Sequence, residues 1–135
     1  MTDCSNWEGC EIGGMKTDND YLYGRFEVRM KSIGSSGVVS SFFTYNDTWV
    51  NGLGNLNWNE IDIEMTGNLD SGIHFTTHHP GEPNSWSFGE MINLNVNPHT
   101  SFNTYAFEWT PNEVIWFVND EEMYSQPQSI VDDLN

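Results

Sequence analysis

From position 21 onward one pattern keeps returning: a short run in which apolar and polar residues alternate, then a cluster of Gly, Asn, Asp, Pro or Ser. Leu22, Phe26, Val28 and Met30 alternate with Tyr23, Arg25, Glu27, Arg29 and Lys31. Ile73, Phe75 and Thr77 alternate with His74, Thr76 and His78, and Ile92, Leu94 and Val96 with Asn93 and Asn95. Tyr105, Phe107 and Trp109, then Val114, Trp116 and Val118, repeat the scheme. A period of two belongs to a strand with one buried face. Val38 to Tyr45 is more continuously apolar and predicts a strand covered on both sides. Turn signals stand at Gly34–Gly37, Asn68–Gly72, Thr110–Asn112 and Asn119–Asp120, the last predicting a hairpin into Glu122–Tyr124. About eight short strands, punctuated every ten or so residues, predict an all-β antiparallel sandwich. No helical period, internal repeat or interdomain linker interrupts the scheme.

One strand breaks the usual economy. "NWNEIDIEMTG", residues 57–67, places Glu60, Asp62 and Glu64 on one face and Ile61, Ile63 and Met65 on the other. The apolar set reads as core. The acidic set repels itself, and Glu and Asp are weak strand formers, so the arrangement calls for compensation. A solvated acidic face is the plain alternative. The chemical one is glycoside hydrolysis. Positions i and i+4 lie about 13 Å apart along a strand, yet two glutamates leaning together can approach the ~5–5.5 Å carboxyl separation of a retaining glycosidase. Crowded negative charge keeps one carboxyl protonated towards neutral pH. Trp58, on the face of Glu60, borders the acids with an aromatic platform.

Composition narrows the partners. The 135 residues include 4 Lys plus Arg against 20 Asp plus Glu, a formal charge of −16. That field repels nucleic acid and anionic lipid surfaces. No 18-residue apolar run offers a membrane span, and no basic region followed by an apolar segment at the N-terminus marks a signal peptide. Aromatic residues make up 14% of the chain, which suits both a sandwich core and sugar stacking. Cys4 and Cys10 allow a disulfide, two free thiols, or partners elsewhere.

"WNEIDIEMTGN" resembles the active-site strand of glycoside hydrolase family 16, especially its lichenase-like endo-1,3-1,4-β-glucanases. "YLYGRFEVRMK", "GVVSSFFTY" and "FNTYAFEWTPNEVIWFVND" resemble further family segments in the same order, so the likeness runs over roughly residues 9–125. It implies a concanavalin-like jelly roll in which Glu60 is the nucleophile, Glu64 the general acid/base and Asp62 the helper carboxylate. It implies sugar-lining roles for Trp58, Phe43 and Tyr45, with Thr76 and His78 standing where lichenase-like proteins usually carry Asn and Tyr. The unbulged Glu-x-Asp-x-Glu spacing leans towards mixed-linkage glucan, with a 1,3-β-glucan (laminarin) hydrolase as the alternative inside the family. A non-catalytic lectin-like sandwich is the alternative outside it.

The resemblance further implies an extracellular protein that acts on β-glucan, needs no cofactor for catalysis, allows a structural calcium bound outside this chain, and is monomeric when complete. Family domains are longer, so residues 1–135 read as part of one catalytic domain. The remaining candidates carry less. His78 and His79 are neighbours on opposite strand faces, which argues against a zinc set with His74 and His99. Trp109 and Trp116 read as core, the Asp18–Asp20 segment as a solvated turn, and Ser40–Ser41 lacks an attendant histidine.

Overall fold

The computed structural model describes residues 13–46, 59–79, 86–131 and 134. Among these, eight strands form: β1 (Gly24–Met30), β2 (Val39–Asn46), β3 (Asn59–Thr66), β4 (Gly72–His79), β5 (Trp86–Asn93), β6 (Asn103–Trp109), β7 (Glu113–Val118) and β8 (Glu121–Pro127). A single helical turn, α1 (Gln128–Val131), follows. All pairings are antiparallel. The first sheet runs β1-β6-β7-β8 and the second β2-β3-β4-β5. The chain therefore crosses between sheets after β1 and again after β5. The fold is the all-β antiparallel sandwich expected from the alternation.

The core lies where the central strands of the two sheets face each other. Ile61, Ile63 and Met65 of β3 and Ile73 and Phe75 of β4 meet Tyr105, Phe107 and Trp109 of β6 and Val114, Trp116 and Val118 of β7. Each of these side chains is at most 6% exposed, so the removal of apolar surface from water is concentrated in four strands. Aromatic contacts cross the layer: Phe42 meets Phe107 at 5.9 Å and Phe75 meets Trp116 at 5.8 Å. Trp109 and Trp116 are core residues, as their alternation predicts.

Two polar links also cross it. The Trp116 indole Nε1–H donates to the backbone carbonyl of Asp62 at 3.1 Å. Gln126 of β8 accepts from the Thr77 hydroxyl at 2.7 Å and donates to the Phe88 carbonyl at 3.0 Å, joining β8 to β4 and β5. Thr77 in turn pairs with His79 at 2.7 Å, and all three side chains of this network are fully buried. Buried polar groups persist where they are partnered in this way.

Three local expectations need correcting. Tyr23, placed with the solvent set, packs edge-on against Trp109 at 5.0 Å, while Leu22, placed with the core set, is 62% exposed. Tyr23 (φ 62°) and Gly24 (φ 130°) both take positive φ, which breaks the strand's period at the start of β1. β2, expected to be covered on both sides, is an edge strand: Phe42 turns inward, whereas Val39, Phe43 and Tyr45 face outward and are about half exposed. The strand read around Ile92–Val96 instead spans Trp86–Asn93, and buried Leu94 follows it. Ser87, Gly89 and Glu90 had hidden the pattern, as an edge strand tolerates polar residues on both faces.

The turns behave as their residues demand. Asn119 and Asp120 adopt φ 51° and 64°, the left-handed pair of a tight hairpin. At Gly67, which donates its N–H to the Val38 carbonyl at 2.8 Å, an added Cβ would run into the backbone of Ile33 and Ser35. On the outer face of the first sheet Arg25 collects Glu27, Glu108 and Asp120 at 2.9–3.1 Å and lies over the Phe117 ring.

Candidate active site

The register of the second sheet assembles the site. β3 pairs with β2 on one side and β4 on the other, and directly opposed residues share a face. Tyr45, Glu60, His78 and Ser87 form one row across the four strands. Phe43, Asp62, Thr76 and Gly89 form the next, and Ser41, Glu64, His74 and Met91 the third. This face points away from the sandwich core, because the alternate residues Ile61, Ile63, Met65, Ile73 and Phe75 fill that core. The three acids therefore stand together on the outer face of a two-layer fold. Of the expected lining residues, Phe43, Tyr45, Thr76 and His78 share that face; Trp58 lies outside the described residues, as do Cys4 and Cys10.

The acids differ in surroundings. Glu60 and Glu64 are half-buried, while Asp62 between them is only 4% exposed. His78 Nε2 lies 3.2 Å from Asp62 Oδ2, and His78 Nδ1 lies 2.7 Å from Ser87 Oγ. The imidazole is thus held by Ser87 at Nδ1 and set in ion-pair range of Asp62 at Nε2. In the middle row, a Cβ on Gly89 would fall 2.6 Å from Thr76 Oγ1 and 2.9 Å from the Phe75 carbonyl. A glycine is required there, and it keeps the floor beside Asp62 and Thr76 low.

Burial and crowding shift the proton affinities. Burial first, then the Asp62 charge and its hydrogen bond, push the Glu60 carboxyl up to about 7, against the opposing pull of His78. Glu64 is also raised, by burial and then by Asp62, with His74 and His78 opposing. The hydrogen bond to Asp62 raises His78, although burial works against its charge. A set of carboxyls with raised proton affinity beside a fixed carboxylate can hold one acid protonated near neutral pH, which is what general acid catalysis requires.

Glu60, Asp62 and His78 bring potential metal-binding atoms within 4.8 Å of one another. Their closeness follows from the register, which sets Glu60 opposite His78, and from the His78–Asp62 ion pair at 3.2 Å.

Comparison with known proteins bears directly on this strand. The model of glycosyl hydrolases family 16 matches residues 6–131. The chain belongs to that family. Among this family's proteins, the beta-glucanase of Brevibacillus brevis is 37% identical over 120 residues, covering 89% of this chain and 44% of that protein. The solved beta-glucanase of Bacillus licheniformis superposes with a TM-score of 0.69 at 34% identity, over 79% of this chain and 47% of that one. A beta-1,3-1,4-glucanase (lichenase) derived from a mouse hindgut metagenome gives 0.68 at 33% identity, over 82% and 48%. This family 16 chain thus spans less than half the length of each of these relatives, in keeping with a partial domain.

Sequence reasoning missed the partners of the acids. It did not foresee that each glutamate faces a histidine, Glu60 opposite His78 and Glu64 opposite His74. The signal was present: equal steps outward from the turn that joins β3 to β4 give these pairs. Ser87 carried no such signal, because its strand was not read.

Proposed function

We propose that the protein is a retaining endo-β-glucanase acting on mixed-linkage 1,3-1,4-β-glucan outside the cell, through Glu60 and Glu64. Glu64, protonated, gives its proton to the glycosidic oxygen as that bond breaks, while the Glu60 carboxylate attacks the anomeric carbon. Glu64, now ionised, takes a proton from water; the water oxygen attacks the same carbon and Glu60 departs as carboxylate. Asp62 tunes both acids through its charge, and exposed Phe43 and Tyr45 offer ring faces to sugar. No step requires a cofactor.

The observation that carries the reading is the acidic triad itself: three carboxyls on the outer face of β3, two half-buried with raised proton affinity, in a family of glycosyl hydrolases. The mixed-linkage preference rests on the unbulged Glu-x-Asp-x-Glu spacing and on the names of relatives about a third identical. Reducing-end release from lichenan and laminarin tests it. Lichenan is expected to be the better substrate, and Glu60→Gln or Glu64→Gln to lower its hydrolysis by at least ~10³-fold with glucan binding retained. Faster laminarin hydrolysis reassigns the linkage. Unchanged turnover in Glu60→Gln rejects the mechanism, and binding with no hydrolysis in any form supports the lectin-like alternative.

A further inference from the structure

The hydrolase reading gives Glu60 a difficult task. It must be an anion in order to attack, yet it sits half-buried beside Asp62, itself almost fully buried, on a chain of formal charge −16. Two adjacent carboxylates withdrawn from water do not both ionise readily without a compensating positive charge. Lys and Arg cannot supply it within the three rows, for their ten remaining neighbours are Tyr45, Phe43, Ser41, His78, Thr76, His74, Ser87, Gly89, Met91 and Glu64. The only basic side chains on these rows are His78 and His74.

The two are not equivalent. His78 is the cross-strand partner of Glu60 and reaches diagonally to Asp62 Oδ2 at 3.2 Å. Its far nitrogen is held by Ser87 Oγ at 2.7 Å. With both ring nitrogens protonated, Nδ1–H donates to the serine oxygen and Nε2–H lies in ion-pair range of the Asp62 carboxylate, so the cation has a polar neighbour at each end. His74 lies one row beyond Asp62, opposite Glu64.

We propose that His78, oriented by Ser87, is a positioning residue whose imidazolium is the counter-charge that allows Asp62 and Glu60 to be carboxylates together. The proposal rests on the hydrolase reading for its catalytic meaning, although the charge coupling stands apart from it. The groups that face His78 define its titration: Glu60, Asp62 and Glu64 from β3, His74 from β4, Tyr45 from β2, and the non-titrating Ser87 from β5. Three carboxyls outnumber the single competing imidazole, so the balance favours the charged ring, in line with the raised proton affinity of His78 and with its downward pull on Glu60.

The test follows protons in the chain itself by NMR, reading the His78 ring carbons and the Glu60 side-chain carboxyl against pH. Asp62→Asn is expected to make His78 lose its proton at lower pH. His78→Gln is expected to move the Glu60 titration upward by about one unit. Ser87→Ala, which leaves all charges in place, is expected to move His78 in the same direction as Asp62→Asn but less. An unchanged His78 titration in Asp62→Asn overturns the proposal, as does an unchanged Glu60 titration in His78→Gln. Should one of these variants fail to fold by circular dichroism, the other decides. Hydrolysis supplies the second readout. In His78→Gln the acid limb of kcat/KM on lichenan moves upward with the Glu60 titration; a fall at every pH with that limb unmoved indicates a merely structural role and contradicts the proposal. If the wild-type chain hydrolyses no glucan, the hydrolase reading fails, whereas the NMR result still decides the coupling.

Discussion

Trp116 and Trp109 offer a controlled comparison of what an indole contributes to this core. Both are central residues of the first sheet facing inward, 0% and 6% exposed. Trp116 lies between Phe75 at 5.8 Å and Tyr124 at 5.4 Å, and its N–H donates to the Asp62 carbonyl at 3.1 Å. Trp109 packs against Tyr23 at 5.0 Å, and its N–H has no acceptor among the described residues. Replacing either by Phe removes the same atoms. The lost burial and the residual void cost roughly 1–2 kcal/mol at each site. In Trp116→Phe the loss of a buried hydrogen bond adds about 1–3 kcal/mol. In Trp109→Phe no such bond is lost, and an unpartnered donor disappears. Trp116→Phe is therefore expected to destabilise the chain by roughly 3 kcal/mol, and Trp109→Phe by about half that or less. At this chain length the larger loss corresponds to a fall in Tm of about 10 °C. Urea unfolding followed by far-UV circular dichroism measures both, since that signal does not depend on the deleted fluorophore. Trp109→Phe costing as much as Trp116→Phe refutes the idea that the indole bond fastens β3 from behind.

Other expectations follow from the same geometry. Because Glu60 is raised from about 4.5 to about 7, the folded chain holds a proton through that window which the unfolded chain releases, so stability falls as pH rises across it. Glu60→Gln removes the charge that is resisted, and is expected to raise Tm at pH 8 while leaving it nearly unchanged at pH 4; thermal melts at the two values check the sign. Gly67→Ala must displace the backbone of Ile33 and Ser35, and is expected to destabilise by more than about 2 kcal/mol in the same urea assay. Gln126→Leu, which strips a partner from Thr77 and from the Phe88 carbonyl, is expected to cost about 2 kcal/mol and to accelerate amide hydrogen exchange along β5.

How much of this was legible beforehand depended on how strictly burial patterned each strand. β3, β4, β6 and β7 are covered on one face by the opposite sheet, so burial imposes a strict period and the sequence displays it. The acids of β3 could be assigned to one face for the same reason. β2 and β5 are edges, where less of each residue is buried and the pattern is correspondingly weak. The continuous apolar run of β2 did not itself show that Phe43 and Tyr45 face outward beside the acids; the family resemblance placed them there. Tyr23 shows a different limit: a positive φ redirects a side chain without any change in residue type. The pairing of His78 with Asp62 depended on register between strands, which periodicity within one strand does not contain. Ser87 depended on a third strand still.

In the proposed mechanism Glu60 forms a covalent bond to sugar while Glu64 manages the proton. Incubating the chain with a β-glucan oligosaccharide fluorinated at the 2-position and carrying an activated leaving group, then mapping the modified peptide by mass spectrometry, addresses it most directly. One added glycosyl unit on Glu60 is expected, slowed in Glu64→Gln when the leaving group needs protonation. Label on another residue, or lichenan hydrolysis that proceeds in Glu60→Gln at the wild-type rate, contradicts it.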